Sequence, residues 1–247
     1  MRYAVELSYI GHAFAGWQLQ PEVLTVQKAL EDALAILEGS PVRVTGAGRT
    51  DGGVHSRGQV ASFDLSKEWS PYRLTMALNN NLPDTVSVIR ASSVPEDFDA
   101  RASALWREYA YFIWHGPSCY PHIRPMVWWR KADDWDNLLV DRCCSFLLGR
   151  HDFGAFCKLS EKPENSYREI LKARHIRRGR LSVLRIRGTA FLTNMVRIIV
   201  GNLDEVGKGR RSPEWFKDLL NGGNRTDSAT TAPSSGLFFW RVGYDDF

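Results

Sequence analysis

The sequence predicts an α+β protein of two similar α/β halves, each built on an antiparallel or mixed sheet, with a central cleft between them. Three observations lead there. The 247 residues, 44% hydrophobic and 24% charged, suit one large or two modest globular domains at the usual ~100–200 residues per domain. An order of strand, helix, strand, helix, strands occurs once before residue 100 and again after it, which divides the chain into 1–100 and 101–247 with no clear linker. A polar, glycine-rich stretch, 46–59, lies between two strand-like runs, where a sheet would mount it rigidly.

In the first half, residues 3–9 alternate as a strand. The loop 11–20 sets aromatic and amide side chains, Gln18 among them, between glycines; such a loop packs down or touches a nucleic-acid backbone. Thr25 caps a helix whose Val26, Leu30, Ala33, Leu34 and Leu37 share a face, and Gly39 then Pro41 end it. Residues 42–45 lead as a strand into the 46–59 loop and 59–64 lead out. Ser70-Pro71 opens a second helix running to about Asn79, and 86–90 is a strand.

In the second half, 104–114 is the most strand-like run of the chain, with Arg107, Tyr109, Tyr111 and Ile113 on one face. Tyr109 is either a core aromatic or a platform for a planar base. Residues 115–131 read as loop. A helix from Asp133 to Leu148 starts with the acidic Asp133, Asp134 and Asp136, which favour the positive end of the helix dipole and are not a metal site. Residues 151–157 form a compact loop and 158–167 an exposed polar one. The strands 168–177 and 181–188 flank a hairpin turn at Arg178-Gly179. That hairpin bears Arg168, Lys172, Arg174, Arg177, Arg178, Arg180, Arg185 and Arg187, which are phosphate contacts or the charges of a solvated face. A helix over 189–203 buries a stripe of Phe191, Leu192, Met195, Val196, Ile199 and Val200 and contains Arg197, which if buried needs a carboxylate such as Asp51. A short helix at 213–220, a loop at 221–236 and a strand at 237–244 close the chain.

Five glycines and seven polar residues make 46–59 a rigid presenting loop, neither core strand nor helix. Two residues apart, Arg49 and Asp51 point to one side and Thr50 to the other. No apolar run reaches the ~18 residues of a membrane span and the amino terminus lacks a signal-peptide pattern, so a cytoplasmic, membrane-free protein is expected. Cys119, Cys143, Cys144 and Cys157 show no Cys-x-x-Cys spacing and read as reduced thiols with no metal. A net charge of +4 permits a polyanionic partner without requiring one.

Several separated motifs then resemble, in order and along nearly the whole chain, the TruA family of tRNA pseudouridine synthases. Gly46-Ala47-Gly48-Arg49-Thr50-Asp51-Gly52-Gly53-Val54-His55 is similar to the family signature, with Gly52 in place of its usual Ala, and the likeness continues through Gly58-Gln59-Val60. Phe14-x-Gly16-Trp17-Gln18-x-Gln20, Asn81-Leu82-Pro83, Arg107-x-Tyr109-x-Tyr111, His151-Asp152-Phe153, Met195-Val196-Arg197 and Ala232-Pro233-x-x-Gly236-Leu237 are similar too.

The resemblance implies the pseudouridine synthase fold, with Asp51 as the catalytic aspartate, Arg49 helping to flip or hold the target nucleotide, Tyr109 stacking on uracil and Arg197 pairing with Asp51. Gln18, Thr50, His55 and Arg107, with Arg174, Arg177, Arg178 and Arg180 of the hairpin, are the RNA-contact candidates. It further implies a homodimer acting on the anticodon stem-loop of tRNA, typically at positions 38–40. The isomerisation consumes no cofactor, metal or energy source. Two other readings compete. A noncatalytic RNA-binding protein of the same fold is disfavoured by the joint presence of Asp51, Arg49, Tyr109 and Arg197. A glycosidase-like hydrolase is disfavoured because no second carboxylate stands in a comparable motif.

Overall fold

Caps and buried stripes set the helices, and long-range pairing sets the strands. The computed structural model describes residues 1–245. The chain divides into two compact units, Met1–Arg107 with Phe238–Phe247, and Glu108–Leu237. The architecture is mixed α+β.

In the first unit, β1 (Arg2–Tyr9) is followed by α1 (Val26–Glu38), β2 (Thr45–Gly46), β3 (His55–Asp64), α2 (Pro71–Asn79) and β4 (Val86–Ser93). The strand order is β4-β1-β3, with β2 also on β3, and β1 runs antiparallel to both neighbours. The side chains of Val5, Leu7, Ala61 and Phe63 meet Leu30 and Leu34 of α1 and Leu74 and Leu78 of α2 in one core. The Tyr3 hydroxyl, at the edge of that core, accepts from the Trp69 amide at 2.8 Å. Thr25 and Ser70 cap the two helices, accepting from the amides of Lys28 and Arg73 as expected.

The second unit contains β5 (Trp106–His115, whose first two residues belong to the first unit), β6 (Trp128–Arg130), α3 (Asn137–Phe146) and β7 (Gly149–Asp152). It continues with β8 (Tyr167–Arg178), β9 (Leu181–Gly188), α4 (Met195–Gly207) and α5 (Pro213–Leu220). The order is β5-β9-β8-β7, with β6 parallel to β5. β10 (Leu237–Gly243) returns to the first unit, where Phe238 and Phe239 pair in parallel with His55 and Ser56. Helix α4 is buried on nearly every side. The segment before β10 crosses it so closely that a side chain on Gly201 would collide with the Thr230 carbonyl.

Several sequence expectations are corrected. The strand foreseen at 42–45 shrinks to Thr45–Gly46, because the Val44 amide donates to the Glu31 carboxylate rather than to a ladder. The loop foreseen to Gln59 ends earlier, since pairing with β10 and β1 draws His55–Gln59 into β3. The presumed loops 115–131 and 151–157 contain β6 and the end of β7. Helix α3 starts at Asn137, not Asp133: only Asp136 caps it, accepting from Leu138 and Leu139, while Asp133 and Asp134 bind Arg177 and Arg130. Helix α4 starts at Met195, not Thr189, because Asn194 takes a left-handed conformation, φ 61°, that breaks the helical path before it, and it runs on to Gly207.

Candidate active site

The Asp51 loop is held by backbone bonds on each side. The Trp17 amide donates to the Thr50 carbonyl at 3.0 Å, and Gly16 forms a bridge with Asp51 itself. The Val54 amide donates to the Asp51 carbonyl at 3.2 Å, closing a turn whose third residue, Gly53, has φ 80°. Gly16 has φ 114°, and a Cβ there would stand 2.6 Å from the Thr50 carbonyl oxygen, so only glycine permits this approach. Earlier in the loop the Ala47 amide donates to Val60 and the Gln59 side-chain amide donates to Gly48 at 2.6 Å. The result is a half-buried Asp51 on a backbone with little freedom, with Arg49 exposed beside it.

Thr50 points the other way, as alternation requires. Its hydroxyl meets that of Tyr9 at 2.8 Å, and both residues are buried. Burial pushes the Tyr9 hydroxyl up to about 12, against the opposing pull of hydrogen bonds from Thr50, Gln59 and Ser56, so Tyr9 stays a neutral donor or acceptor. His55 is wholly buried: its Nδ1 accepts from the Gly11 amide at 3.1 Å and its ring stacks on Phe238 at 4.6 Å between centroids. The Nδ1 bond leaves the ring proton of a neutral His55 on Nε2. Thr50 and His55, foreseen as RNA contacts, thus lie inside the protein and shape the loop from within. Arg107 also turns inward, donating to the carbonyls of Ala47 at 3.1 Å, Ala104 at 3.1 Å and Arg101 at 2.5 Å. It fixes the start of the loop. Gln18 is exposed.

In the second unit, Tyr109 is only 8% exposed and meets Phe191 edge-on at 4.9 Å. Arg197 is half-buried; its Nε donates to Ala232 at 2.9 Å and its Nη1 to the Asn194 side chain at 2.7 Å, which fixes the direction of the guanidinium. Of the hairpin arginines, Arg174, Arg178 and Arg180 are exposed. Arg177 turns inward, bonded to Asp133 at 2.5 Å and to the Gly179 carbonyl at 2.7 Å. Arg185 and Arg187 both bind Glu108, whose side chain is 3% exposed. Burial alone would raise that carboxyl, but the bonds from Arg187 and Arg185 outweigh it and hold Glu108 below the usual carboxylate range.

Sequence reasoning missed Tyr9, Gln59 and Glu108. Tyr9 looks like any strand aromatic. Only the alternation of Arg185 and Arg187 on one face of β9 signals that a carboxylate must lie opposite. Among the described residues no cluster of His, Cys, Asp and Glu could hold a metal ion, and no helix is long and apolar enough to cross a membrane.

A family model described as tRNA pseudouridine synthase matches residues 7–101 and 144–245, which sets the class as an isomerase of tRNA uridine. Three similar proteins bear the name tRNA pseudouridine synthase A. That of Anoxybacillus flavithermus is 40% identical over 246 residues, covering 99% of each chain. That of Brachyspira hyodysenteriae is 36% identical over 243 residues, 98% of each. That of Gloeobacter violaceus is 39% identical over 245 residues, 99% of this chain and 81% of its own. The chain belongs to the TruA family of tRNA pseudouridine synthases. Among solved structures, one from a Cbf5-Nop10-Gar1 complex aligns with a TM-score of 0.38 at 11% identity, over 98% of this chain and 60% of the other.

Proposed function

We propose that this chain converts uridine to pseudouridine in the tRNA anticodon stem-loop, at positions 38–40, with Asp51 as the nucleophile. The observation that carries the reading is a half-buried carboxylate on a loop tied down through Thr50, Ala47 and Gly48, in a chain of this family. A rigid carboxylate is what attack at one defined atom requires.

In the C1′ route Asp51 attacks C1′ and the N1–C1′ electron pair leaves with the base. The uracil turns, C5 bonds to C1′, and the carboxylate departs. C5 then loses its proton while N1 gains one, so atoms and electrons balance without a co-reactant. Attack at C6 uses the same carboxylate. Arg197 serves as counter-charge to the Asp51 carboxylate. Tyr109 is the uracil platform: extruding a base costs a few kcal/mol and a stacked aromatic returns about 1–3 kcal/mol. Arg49, two residues before Asp51, and Gln18, next to the Trp17 whose amide bonds Thr50, are exposed and hold the flipped nucleotide, and Arg174, Arg178 and Arg180 contact the backbone. Thr50, His55 and Arg107 act through the shape of the loop, and Arg177 through the hairpin. The working form is a cytoplasmic homodimer.

The test incubates wild type and Asp51→Ala with unmodified tRNA transcripts and maps pseudouridine by carbodiimide-based primer extension. Signal at 38–40 from wild type alone is expected. Modification at other positions would refute the site, an active Asp51→Ala would refute the nucleophile, and release of free uracil would favour a hydrolase.

A further inference from the structure

Asn194 stands at the N-cap of α4, where an asparagine side chain ordinarily accepts from a backbone amide of the first turn. Here it makes no such bond, and its backbone takes φ 61° and ψ 3° in place of the extended conformation usual for a cap. The helix thus forgoes a stabilising bond and accepts a left-handed residue, a strained conformation for most side chains and one that asparagine tolerates better than they do. The side chain serves a different bond. Its Oδ1 accepts from Arg197 Nη1 at 2.7 Å, so it holds the side chain of the third helical residue rather than a first-turn amide. A local rule of helix construction broken without local gain points to a functional demand.

Arg197 is held from another side by the segment before β10. Its Nε donates to the Ala232 carbonyl at 2.9 Å, and the Ala232 amide donates back to the Arg197 carbonyl at 3.1 Å. The next residue of that segment is fixed as well, since the buried Tyr111 donates its hydroxyl to the Pro233 carbonyl at 2.7 Å. A guanidinium is planar, so one grip at Nε and a second at Nη1 set the direction of the whole group. The first grip comes from the main chain. The second comes from a single side chain, Asn194.

We infer that Asn194 is a positioning residue of the isomerisation that acts through Arg197, its helix cap given up to set the direction of the guanidinium. The inference rests on Arg197 being the counter-charge to Asp51. Asn194 itself touches neither base nor backbone of the RNA in this scheme, so its loss falls on turnover and not on tRNA binding.

The test measures kcat and KM by release of tritium from unmodified tRNA labelled at uracil C5, with melting temperatures alongside. Asn194→Gly removes the acceptor but suits the left-handed backbone, so it should melt close to wild type while kcat falls by about 10- to 100-fold and KM holds. Asn194→His restores an acceptor, because the Nδ1 of a neutral imidazole stands as many bonds from Cα as Oδ1 does, and histidine also tolerates positive φ. Relative to wild type, it should recover most of the lost kcat at pH 8 and lose it again below about pH 6.5, where the imidazole is protonated and repels Arg197. A purely structural role would not produce that pH dependence. Arg197→Ala separates the two readings. If it keeps the wild-type kcat, the counter-charge reading fails and this inference with it; if it is slow while Asn194→Gly is as fast as wild type, the inference alone fails. An Asn194→Gly variant that melts well below wild type, one whose defect lies in KM, or an Asn194→His variant no faster than it would make Asn194 a residue of the fold and overturn the inference equally.

Discussion

The hydroxyls of Tyr9 and Thr50 lie 2.8 Å apart in the protein interior, which ties the residue preceding Asp51 to the first strand of the fold. Tyr9→Phe leaves the Thr50 hydroxyl without that partner and should cost about 1–2 kcal/mol in urea unfolding, with a fall in turnover as the loop loosens. Thr50→Val should cost a similar amount. The double variant should cost clearly less than the sum, because the two changes remove one bond. Full additivity would mean that the contact does not couple the loop to the strand. Since Tyr9 ionises near 12 when folded, against 10.0 ordinarily, its contribution persists up to pH 10 and is lost between pH 10 and 12.

Gly52 and Gly53 follow Asp51 but should respond oppositely to alanine. The atoms nearest a Cβ on Gly52 belong to Ala15, at 3.5 Å and beyond, and its φ is not positive. Gly52→Ala, which restores the residue usual in the family signature, should therefore stabilise the protein by roughly 0.4–1 kcal/mol through the unfolded chain, with activity kept. Gly53 has φ 80°, so Gly53→Ala should destabilise by about 1 kcal/mol or more and lower turnover. Denaturant midpoints and initial rates of the two variants decide it.

His115 makes the protein sensitive to acid. His175 donates its Nδ1 proton to Asp141, which leaves its Nε2 to accept from Ser182; Ser182 in turn accepts from His115 Nε2. The buried Nδ1 of His115 is then without a proton, and no hydrogen-bond partner reaches it. Burial first, then the charges of Arg177 and Arg130, push His115 down to about 4, with Asp133 and Asp204 opposing weakly. Its folded pKa lies below the unfolded 6.5, so protons favour the unfolded chain. Stability should fall by up to about 3 kcal/mol as the pH drops from 6.5 to 4. His115→Asn should flatten that part of the profile in urea titrations, and an unchanged slope would count against His115 as its origin.

The cysteines should divide by accessibility. Cys143 and Cys144 are buried, and burial pushes both up to about 12; Cys157 is buried and raised as well. Only Cys119 is partly exposed. Burial raises the Cys119 thiol too, against the pull of Arg124, so an aromatic disulfide reagent at pH 8 should react with one thiol per folded chain, more slowly than with a free cysteine, and with four in guanidinium. Rapid reaction of two or more in the folded protein would contradict this packing.

The parts legible in the sequence are those decided within one turn of chain. Thr25 and Ser70 cap their helices where the letters say, because a cap bond spans three residues. The β8–β9 hairpin is legible for the same reason. The short strands β6 and β7 owe their existence to partners in β5 and β8 and carry little periodicity of their own. The start of helix α4 is hidden in the sequence because Phe191 and Leu192 extend the apolar pattern while Asn194 sets the backbone. In the site, the Asp51 loop announces itself by composition. The inward turns of Thr50, His55 and Arg107 depend on Tyr9, Gly11 and three distant carbonyls, and no local pattern encodes those.

The return of β10 to the first unit ties this site to the order in which the chain is made. The Phe239 ring lies against Gly48 in the Asp51 loop, and the Phe239 carbonyl accepts from the Ser56 hydroxyl across 183 positions of sequence. A ribosome therefore exposes Asp51 long before it delivers the strand that supports its loop. The nascent chain holds every residue of the signature motif yet lacks the wall that supports its loop, so the loop's geometry is completed late in synthesis, and a message cut short upstream of β10 yields a protein with the letters of the motif but not its supported shape.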